Sequence, residues 1–225
     1  MKTKLFIYAA GLFALLQTAC KKDNYDPPQS VLTGKVIYQG QPISVRAGGV
    51  QLELWQPGYQ LYTKIPVYLA QDGSFTSTLF DGDYKLVRLR GSGPWVDNTD
   101  TINVAVRGNT VVDVPVDPYF IIKTASFQKS GTNINATFSI QRVNTTRVLE
   151  AVRLYVGQTI LTDQGINNAN VQKVAADITD ITQPITLSIS IPASLTGKTY
   201  LYARVGVKTS GVAELAYSEA VKVSQ

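Results

Sequence analysis

The fold is decided by stretches of strict alternation, of which the clearest is Ile-Asn-Ala-Thr-Phe-Ser-Ile at residues 134–140. Apolar side chains stand at every second position, which places all of them on one face of a β-strand. The pattern recurs in residues 102–106, 112–116 and 185–191, and no stretch beyond residue 30 keeps a 3.6-residue period. The sequence therefore predicts an all-β protein.

Turn-forming pairs separate the alternating stretches at the spacing of a β-sandwich. They are Gln39-Gly40, Asp72-Gly73, Asp81-Gly82, Gly108-Asn109, Ser130-Gly131 and Thr196-Gly197. Pro118 cannot donate to a β-ladder, and a fresh apolar run begins directly after it. We therefore predict two consecutive β-sandwich domains, over residues 31–117 and 118–225. The expected strands include 110–116, 171–178 and 214–223.

Composition excludes several classes of chemistry. The chain has 225 residues, no His and a single Cys. His-based catalytic triads, His/Cys zinc sites, His-ligated haem and internal disulfides are therefore ruled out. The basic residues are scattered and no glycine-rich phosphate loop precedes a helix, so nucleic acid and nucleotides are not expected partners.

The N-terminus has the layout of an export signal. Lys2 and Lys4 precede an uncharged run over residues 5–16, and Ala19 stands directly before Cys20. A twelve-residue helix rises only about 18 Å, which is too short to cross a hydrocarbon core of roughly 30 Å. The Ala19-Cys20 junction resembles the lipobox of bacterial lipoproteins. It implies a signal peptide over residues 1–19, a lipidated Cys20 and anchoring to a bacterial membrane.

Residues 20–30 are predicted to form a tether above the lipid. The segment is polar apart from Tyr25 and contains Pro27-Pro28, which favours an extended spacer over a packed element.

Three motifs give the first domain a family resemblance. They are Leu-Thr-Gly-Lys-Val at 32–36, Asp-Gly-Ser-Phe at 72–75 and Gly-Asp-Tyr at 82–84. The domain resembles the carboxypeptidase-regulatory-like, prealbumin-type β-sandwiches. The second domain is similar to immunoglobulin and fibronectin-III sandwiches, without the Cys pair and strand Trp of antibody domains.

The whole chain resembles a family of uncharacterised two-domain lipoproteins of Bacteroides-type bacteria. The resemblance rests on the segment following Cys20, on Gly93-Pro94-Trp95 and on Val-Asp-Pro-Tyr-Phe at 116–120. It implies an outer-membrane, cell-surface location beside glycan uptake systems of the SusC/SusD type, which are then candidate partners. It supplies no binding residues.

Aromatic side chains are the candidate binding residues, because sugar rings stack on flat aromatic faces beside polar groups. Trp95 lies in a Gly/Pro-rich stretch expected to be an exposed loop, with Asp97 nearby. Trp55 falls on the polar face of its strand, and Tyr59 and Tyr62 follow in the next loop. Glycan binding by these five residues is one interpretation. The alternative is that both Trp residues cap the sandwich core.

Acidic side chains support weaker hypotheses. Two loops, one with Asp97, Asn98 and Asp100 and the other with Asp81 and Asp83, offer oxygen ligands for calcium, but neither has the spacing of a known calcium loop. Turn geometry is the favoured explanation for them, and no cofactor is predicted. A glycosidase needs two paired carboxylates, and no pair is indicated among the acids.

Two functions are favoured by the sequence, and a carboxylate hydrolase is kept as a third hypothesis for which no residue pair can be named. The first is a non-enzymatic surface lipoprotein that helps to capture polysaccharide. The second is a structural spacer that docks on a SusC/SusD-type transporter without touching sugar.

Overall fold

The structure, a computed structural model, describes residues 26–225. The predicted signal peptide, Cys20 and the first part of the tether lie outside the described residues. Residues 26–29 are exposed and have no regular structure. The first strand includes Ser30, so the tether ends one residue earlier than expected. The reason is that the Ser30 hydroxyl donates a hydrogen bond to Asp81 and is held in the fold.

The first domain consists of two packed sheets. Its strands are β1 (Ser30–Tyr38), β2 (Gln41–Pro42), β3 (Gln51–Trp55), β4 (Lys64–Tyr68), β5 (Ser74–Leu79), β6 (Gly82–Arg88), β7 (Ile102–Val106), β8 (Asn109–Val111) and β9 (Val114–Pro115). One sheet is centred on β1, which pairs with β2 and β5 antiparallel and with β8 and β9 parallel. The other has the order β4-β3-β6-β7. Buried aliphatic and aromatic side chains fill the space between the sheets, among them Leu32, Leu54 and Phe75.

The second domain repeats this two-sheet arrangement. Its strands are β10 (Phe120–Ser130), β11 (Asn133–Arg142), β12 (Leu149–Gly157), β13 (Ala169–Val174), β14 (Ile185–Ser190), β15 (Tyr200–Thr209), β16 (Ala216–Tyr217) and β17 (Val221–Ser224). One sheet has the order β10-β11-β14, and the other has the order β13-β12-β15 with β16 and β17 both paired to β15. Short 3-10 helices occur at Ala175–Asp177 and Ala193–Leu195.

The register shows why alternation defined the core. Within the β11–β14 pair, Phe138 lies opposite Ile185, Ala136 opposite Leu187 and Ile134 opposite Ile189. All of these side chains are buried in the second core. The polar residues between them face outward, as a period of two requires. The prediction of an all-β protein with two domains is confirmed.

The strand expected over residues 110–116 is divided into β8 and β9. Between them, the N–H of Val112 donates to the carbonyl of Thr33 at 2.9 Å, and the carbonyl of Val112 lies against Gly34. The chain therefore pairs with β1 twice, through the short parallel strands β8 and β9. Between them, the absence of a side chain at Gly34 leaves space for the Val112 carbonyl.

Two further expected strands are interrupted. The segment 171–178 becomes β13 followed by the 3-10 turn over 175–177. The segment 214–223 becomes β16 and β17, because residues 218–220 leave the ladder. At that point the Ser218 hydroxyl accepts from the N–H of Val205, and the Ser218 carbonyl accepts from Arg204.

The two domains are joined by polar contacts. The backbone of Tyr217 in the second domain pairs with Ser44 of the first, with an N···O distance of 3.0 Å. Arg46 of the first domain forms a two-pronged ion pair with Glu214 of the second. Within residues 26–225, no helix is long and apolar enough to cross a membrane.

Candidate functional site

Trp55 is the centre of an exposed aromatic group in the first domain. It ends β3, in which Leu52 and Leu54 point into the core and are fully buried. The alternation of the strand therefore turns Trp55 to the outer face of the β4-β3-β6-β7 sheet. On that face its direct cross-strand neighbours are Lys64 of β4 and Lys85 of β6.

The loop after β3 brings two tyrosines beside this tryptophan. The ring of Tyr62 lies 5.1 Å from the ring of Trp55, centroid to centroid, with 44° between the planes. Tyr62 is 50% exposed and Tyr59 is 61% exposed, whereas Trp55 is partly covered. We call Trp55, Tyr59 and Tyr62 the aromatic surface. Sequence reasoning predicted all three, and the structure leaves their rings accessible to solvent.

The loop begins with a contact to the first residue of β6. The side-chain amide of Gln56 packs directly on Gly82, where a Cβ would overlap it. Below it, the Tyr84 ring is buried and its hydroxyl donates to the carbonyl of Phe80 at 2.9 Å. Burial raises the pKa of Tyr84, with a smaller contribution from nearby Tyr59. The loop thus rests on a packed support.

Polar side chains surround the aromatic surface. Lys64 forms an ion pair with the buried carboxylate of Glu53, with an N···O distance of 2.7 Å. Lys85 is exposed and faces Asn103 of β7 across the ladder. Ammonium and amide groups beside an aromatic face can donate hydrogen bonds to hydroxyl or carboxylate oxygens of a ligand.

Sequence reasoning missed two members of this region, Leu61 and Tyr68. Leu61 is 79% exposed in the same loop as the tyrosines. Tyr68 is 56% exposed and pairs with Gln51, on the same outer face as Trp55. The signal that could have found Tyr68 is the alternation of β4, which places Lys64, Pro66 and Tyr68 together on one face.

Trp95 does not belong to this surface, and its predicted exposed position is wrong. Its side chain is 4% exposed and packs in the core of the first domain. Its backbone pairs with Pro118 at the start of the second domain. The next residue, Val96, packs against the core of the second domain and donates its N–H to the carbonyl of Asp117 at 2.9 Å. Trp95 therefore caps a core at the junction, and its ring is closed to a ligand.

Asp97 binds its own loop instead of joining the aromatic surface. Its Oδ1 accepts from the N–H of Gly91 at 2.7 Å, and its Oδ2 lies 3.9 Å from Arg90. The same loop contacts the first residue of β3, where the N–H of Gln51 donates to Ser92 at 2.8 Å. Trp55 ends β3, about 13 Å further along the strand. The structure thus separates Trp95 and Asp97 from the other three predicted residues.

The acidic loops use their oxygens within the protein. Asn98 accepts from the N–H of Asp100 at 2.6 Å, which is the geometry of a turn. Asp81 accepts from Ser30 and Gly108, and Asp83 lies 3.1 Å from Arg107. In the described part of the chain, no three acidic or sulfur side chains are grouped as metal ligands would be.

Comparisons with known proteins define the family. The N-terminal domain of a protein of unknown function, DUF3823, matches residues 30–117, and the domain of unknown function DUF3823_C matches residues 120–222. No curated protein matches the chain.

Solved structures carry the same two-domain fold. A DUF3823 family protein from Bacteroides ovatus is 45% identical, with 87% of this chain and 98% of that one covered and a TM-score of 0.81. One from Parabacteroides merdae is 34% identical, with coverages of 88% and 100% and a TM-score of 0.81. A Bacteroides uniformis protein, described as a "putative carbohydrate binding protein", is 20% identical, with coverages of 88% and 100% and a TM-score of 0.72. With both of its domains matched in order, this chain belongs to the DUF3823 family.

Proposed function

We propose that this protein binds polysaccharide without modifying it, and that the aromatic surface provides the stacking face. The observation that carries the proposal is the exposed Tyr62 and Tyr59 rings, braced by Trp55 on an outward sheet face with lysine neighbours. Exposed aromatic rings in one cluster cost hydration free energy unless a ligand covers them. The description of the Bacteroides uniformis neighbour, which shares the fold, agrees with this function.

A non-catalytic role fits the state of the glutamates. Two of the four glutamates are held in ion pairs, Glu53 by Lys64 and Glu214 by Arg46, and the other two, Glu150 and Glu219, are exposed to solvent. The matched families have no described activity.

We also propose a location for the protein on the cell surface. Lipidation of Cys20 would hold the chain on the outer membrane, facing the cell surface, where polysaccharide arrives. A SusC/SusD-type uptake complex is the partner proposed there. The sequence supports this location, because it contains an export signal, a lone cysteine and a polar tether.

Replacing the stacking rings should weaken polysaccharide binding. In Tyr59→Ala/Tyr62→Ala we expect affinity to fall about tenfold or more, since each aromatic contact contributes about 1 kcal/mol. Affinity electrophoresis in gels containing a panel of neutral and acidic polysaccharides measures the retention. Tyr200→Ala is the matched control, because Tyr200 is an exposed tyrosine in the second domain. Equal retention of the double variant and the wild type would contradict the proposal.

Intrinsic fluorescence gives a second readout. The chain has two tryptophans, of which Trp95 is buried and Trp55 lies on the aromatic surface. In Trp95→Phe, the emission comes from Trp55 alone, and a bound glycan should shift it.

The spacer function remains the second candidate, and the domain junction favours it. Polar contacts between the domains, buried at Arg204 and partly buried at Arg46, hold them in a fixed relation, as a rigid spacer requires. Two results together would support the spacer over the binding module. The Trp55 fluorescence would stay unchanged with every polysaccharide, and a membrane partner would co-purify in mild detergent.

A further inference from the structure

A concave feature lies where the two domains meet, away from the aromatic surface. It is a groove of about 560 Å³. One wall is the β1–β2 hairpin, with Tyr38, Gln39 and Gln41, and the other is the start of β10. Residues 216–219 form its base. Binding sites for small ligands have volumes of about 300–1,000 Å³ and often lie between domains.

The groove is shaped in advance by the contacts between the domains. At its base, Tyr217 is hydrogen-bonded to Ser44 of the first domain. The Ser218 carbonyl accepts from the buried Arg204, which also donates to the carbonyl of Val45 at 2.9 Å. Because these contacts hold the two domains together around the base of the groove, the cleft exists without any ligand to close it.

Polar side chains in the groove have capacity left for a ligand. Within residues 26–225, no side-chain hydrogen bond or ion pair of the fold engages Gln41, Lys123 or Glu219. The amide of Gln39 donates only to the hydroxyl of Tyr38, at 3.1 Å. Asp72 uses Oδ1 for Ser74, which leaves its Oδ2. Amides and carboxylates of this kind bind the neighbouring hydroxyl groups of sugars.

Gln39 occupies a position that its backbone does not favour. It has φ = +51° and is the one non-glycine residue with positive φ in residues 26–225. Gly40 follows with φ = +77°, so the pair forms the hairpin turn for which Asn-Gly is the usual sequence. Turn geometry therefore does not explain a glutamine. Its amide side chain lines the groove.

The charges in the groove are balanced. Lys35 and Lys123 stand against Asp72 and Glu219. The partly exposed side chains of Ile121 and Ile122 add an apolar surface for the less polar face of a sugar ring. A ligand rich in hydroxyl groups and without net charge fits this lining better than an anion or a cation.

We propose that the groove between the domains is a second binding site, which takes a short neutral oligosaccharide through Gln39, Gln41 and their polar neighbours. The site lies on the β1 side of the sandwich and shares no residue with the aromatic surface. It can therefore exist whether or not the aromatic surface binds polysaccharide.

Calorimetric titration of the purified protein with linear hexasaccharides tests the site. The probes are cello-, xylo-, manno- and maltohexaose, with hexagalacturonate as the charged comparison. We expect at least one neutral hexasaccharide to bind. In Gln39→Asn/Gln41→Ala its affinity should fall about tenfold, since two hydrogen bonds are lost. Thermal unfolding of Gln39→Asn should occur at an equal or higher temperature, because Asn tolerates this backbone conformation.

Two controls separate this site from the aromatic surface. Gln172→Asn changes an exposed glutamine on β13 and should keep wild-type affinity for the hexasaccharide. Tyr62→Ala removes a stacking ring of the aromatic surface, and the groove should still bind the hexasaccharide in that variant. Wild-type affinity in the double glutamine variant, or no binding of any neutral hexasaccharide, overturns the proposal. Loss of binding in Tyr62→Ala alone also overturns it, while supporting the aromatic surface. Tighter binding of hexagalacturonate, lost in the double variant, rejects the neutral ligand class.

Discussion

At the residue scale, the start of β1 depends on one carboxylate. The Oδ1 of Asp81 accepts from the Ser30 hydroxyl and from the N–H of Gly108. These hydrogen bonds, with that of Ser30 first, hold the pKa of Asp81 below its ordinary value of 3.8. The folded state therefore binds this proton less readily than the unfolded state does. The stabilising effect of the ionised Asp81 carboxylate is complete above pH 3.8. It is lost as the pH falls through the lower, folded-state pKa.

Asp81→Asn should reduce the pH dependence of stability in acid. We expect the free energy of unfolding of the variant to fall less steeply than that of the wild type between about pH 5 and pH 2. Part of the pH dependence of the free energy of unfolding should remain in the variant. The reason is that a hydrogen bond from Ser74 lowers the pKa of Asp72, and one from Thr182 lowers the pKa of Asp180. Urea unfolding at a series of pH values measures the effect. Asp177→Asn, at an exposed aspartate, is the control. A slope identical to that of the wild type would show that the Asp81 hydrogen bonds contribute nothing.

At the element scale, the two parallel pairings of β1 depend on a glycine. A Cβ at Gly34 would overlap the backbone carbonyl of Val112 and would lie 2.8 Å from the buried ring of Phe75. The overlap is with backbone, which has no alternative rotamer. This overlap explains why the Leu-Thr-Gly-Lys-Val motif has a glycine at position 34. It also explains why β8 and β9 are separate strands.

Gly34→Ala should be strongly destabilising. We expect the free energy of unfolding to drop by about 3 kcal/mol, as overpacking against fixed neighbours does. Chemical denaturation measures it. Gly165→Ala is the control, because a Cβ there meets Asp163 at an ordinary 3.4 Å and should change stability little. A near-neutral Gly34→Ala would mean that β1 and the Val112 segment can move apart at low cost.

Alternation along a strand predicts the exposure of some candidate residues and fails for others. Trp55 could be predicted because the alternation of β3 fixes its face, and Tyr59 and Tyr62 because they follow closely in the next loop. Trp95 could not, because its Gly-Pro setting is typical of exposed loops. Only the tertiary structure shows that its side chain packs in the core of the first domain, where its backbone pairs with Pro118. Asp97 lies in the same loop, which contacts the end of β3 opposite to Trp55.

At the scale of the whole molecule, Arg204 ties the domains together. It is fully buried and donates to carbonyls of Val45 and Gln71 in the first domain and of Ser218 in the second. Its guanidinium lies 4.3 Å from the centroid of the Tyr217 ring. Burial lowers the pKa of Arg204 to about 10, so the group stays charged at neutral pH.

Arg204→Met should loosen the two domains from each other. We expect a loss of about 3 kcal/mol, because carbonyl groups of both domains lose a buried donor. Calorimetry should then resolve two unfolding transitions where the wild type shows one. Arg107→Met is the matched control, since Arg107 forms an exposed ion pair within the first domain and should matter little. A single transition at the wild-type temperature would contradict this role.

The sequence by itself determined the all-β character and the two-domain chain. Both follow from short-range patterns: a period of two in side-chain polarity, and turn residues between the strands. Tertiary structure alone decided that Trp95 is buried, that Arg204 lies on an enclosed strand face, and that the β1–β2 hairpin faces β10 across a groove. Alternation says which face of a strand is apolar, but not what covers the opposite face. Those outcomes depend on contacts between segments that lie tens of residues apart, such as Val45 with Arg204, and no local pattern encodes them.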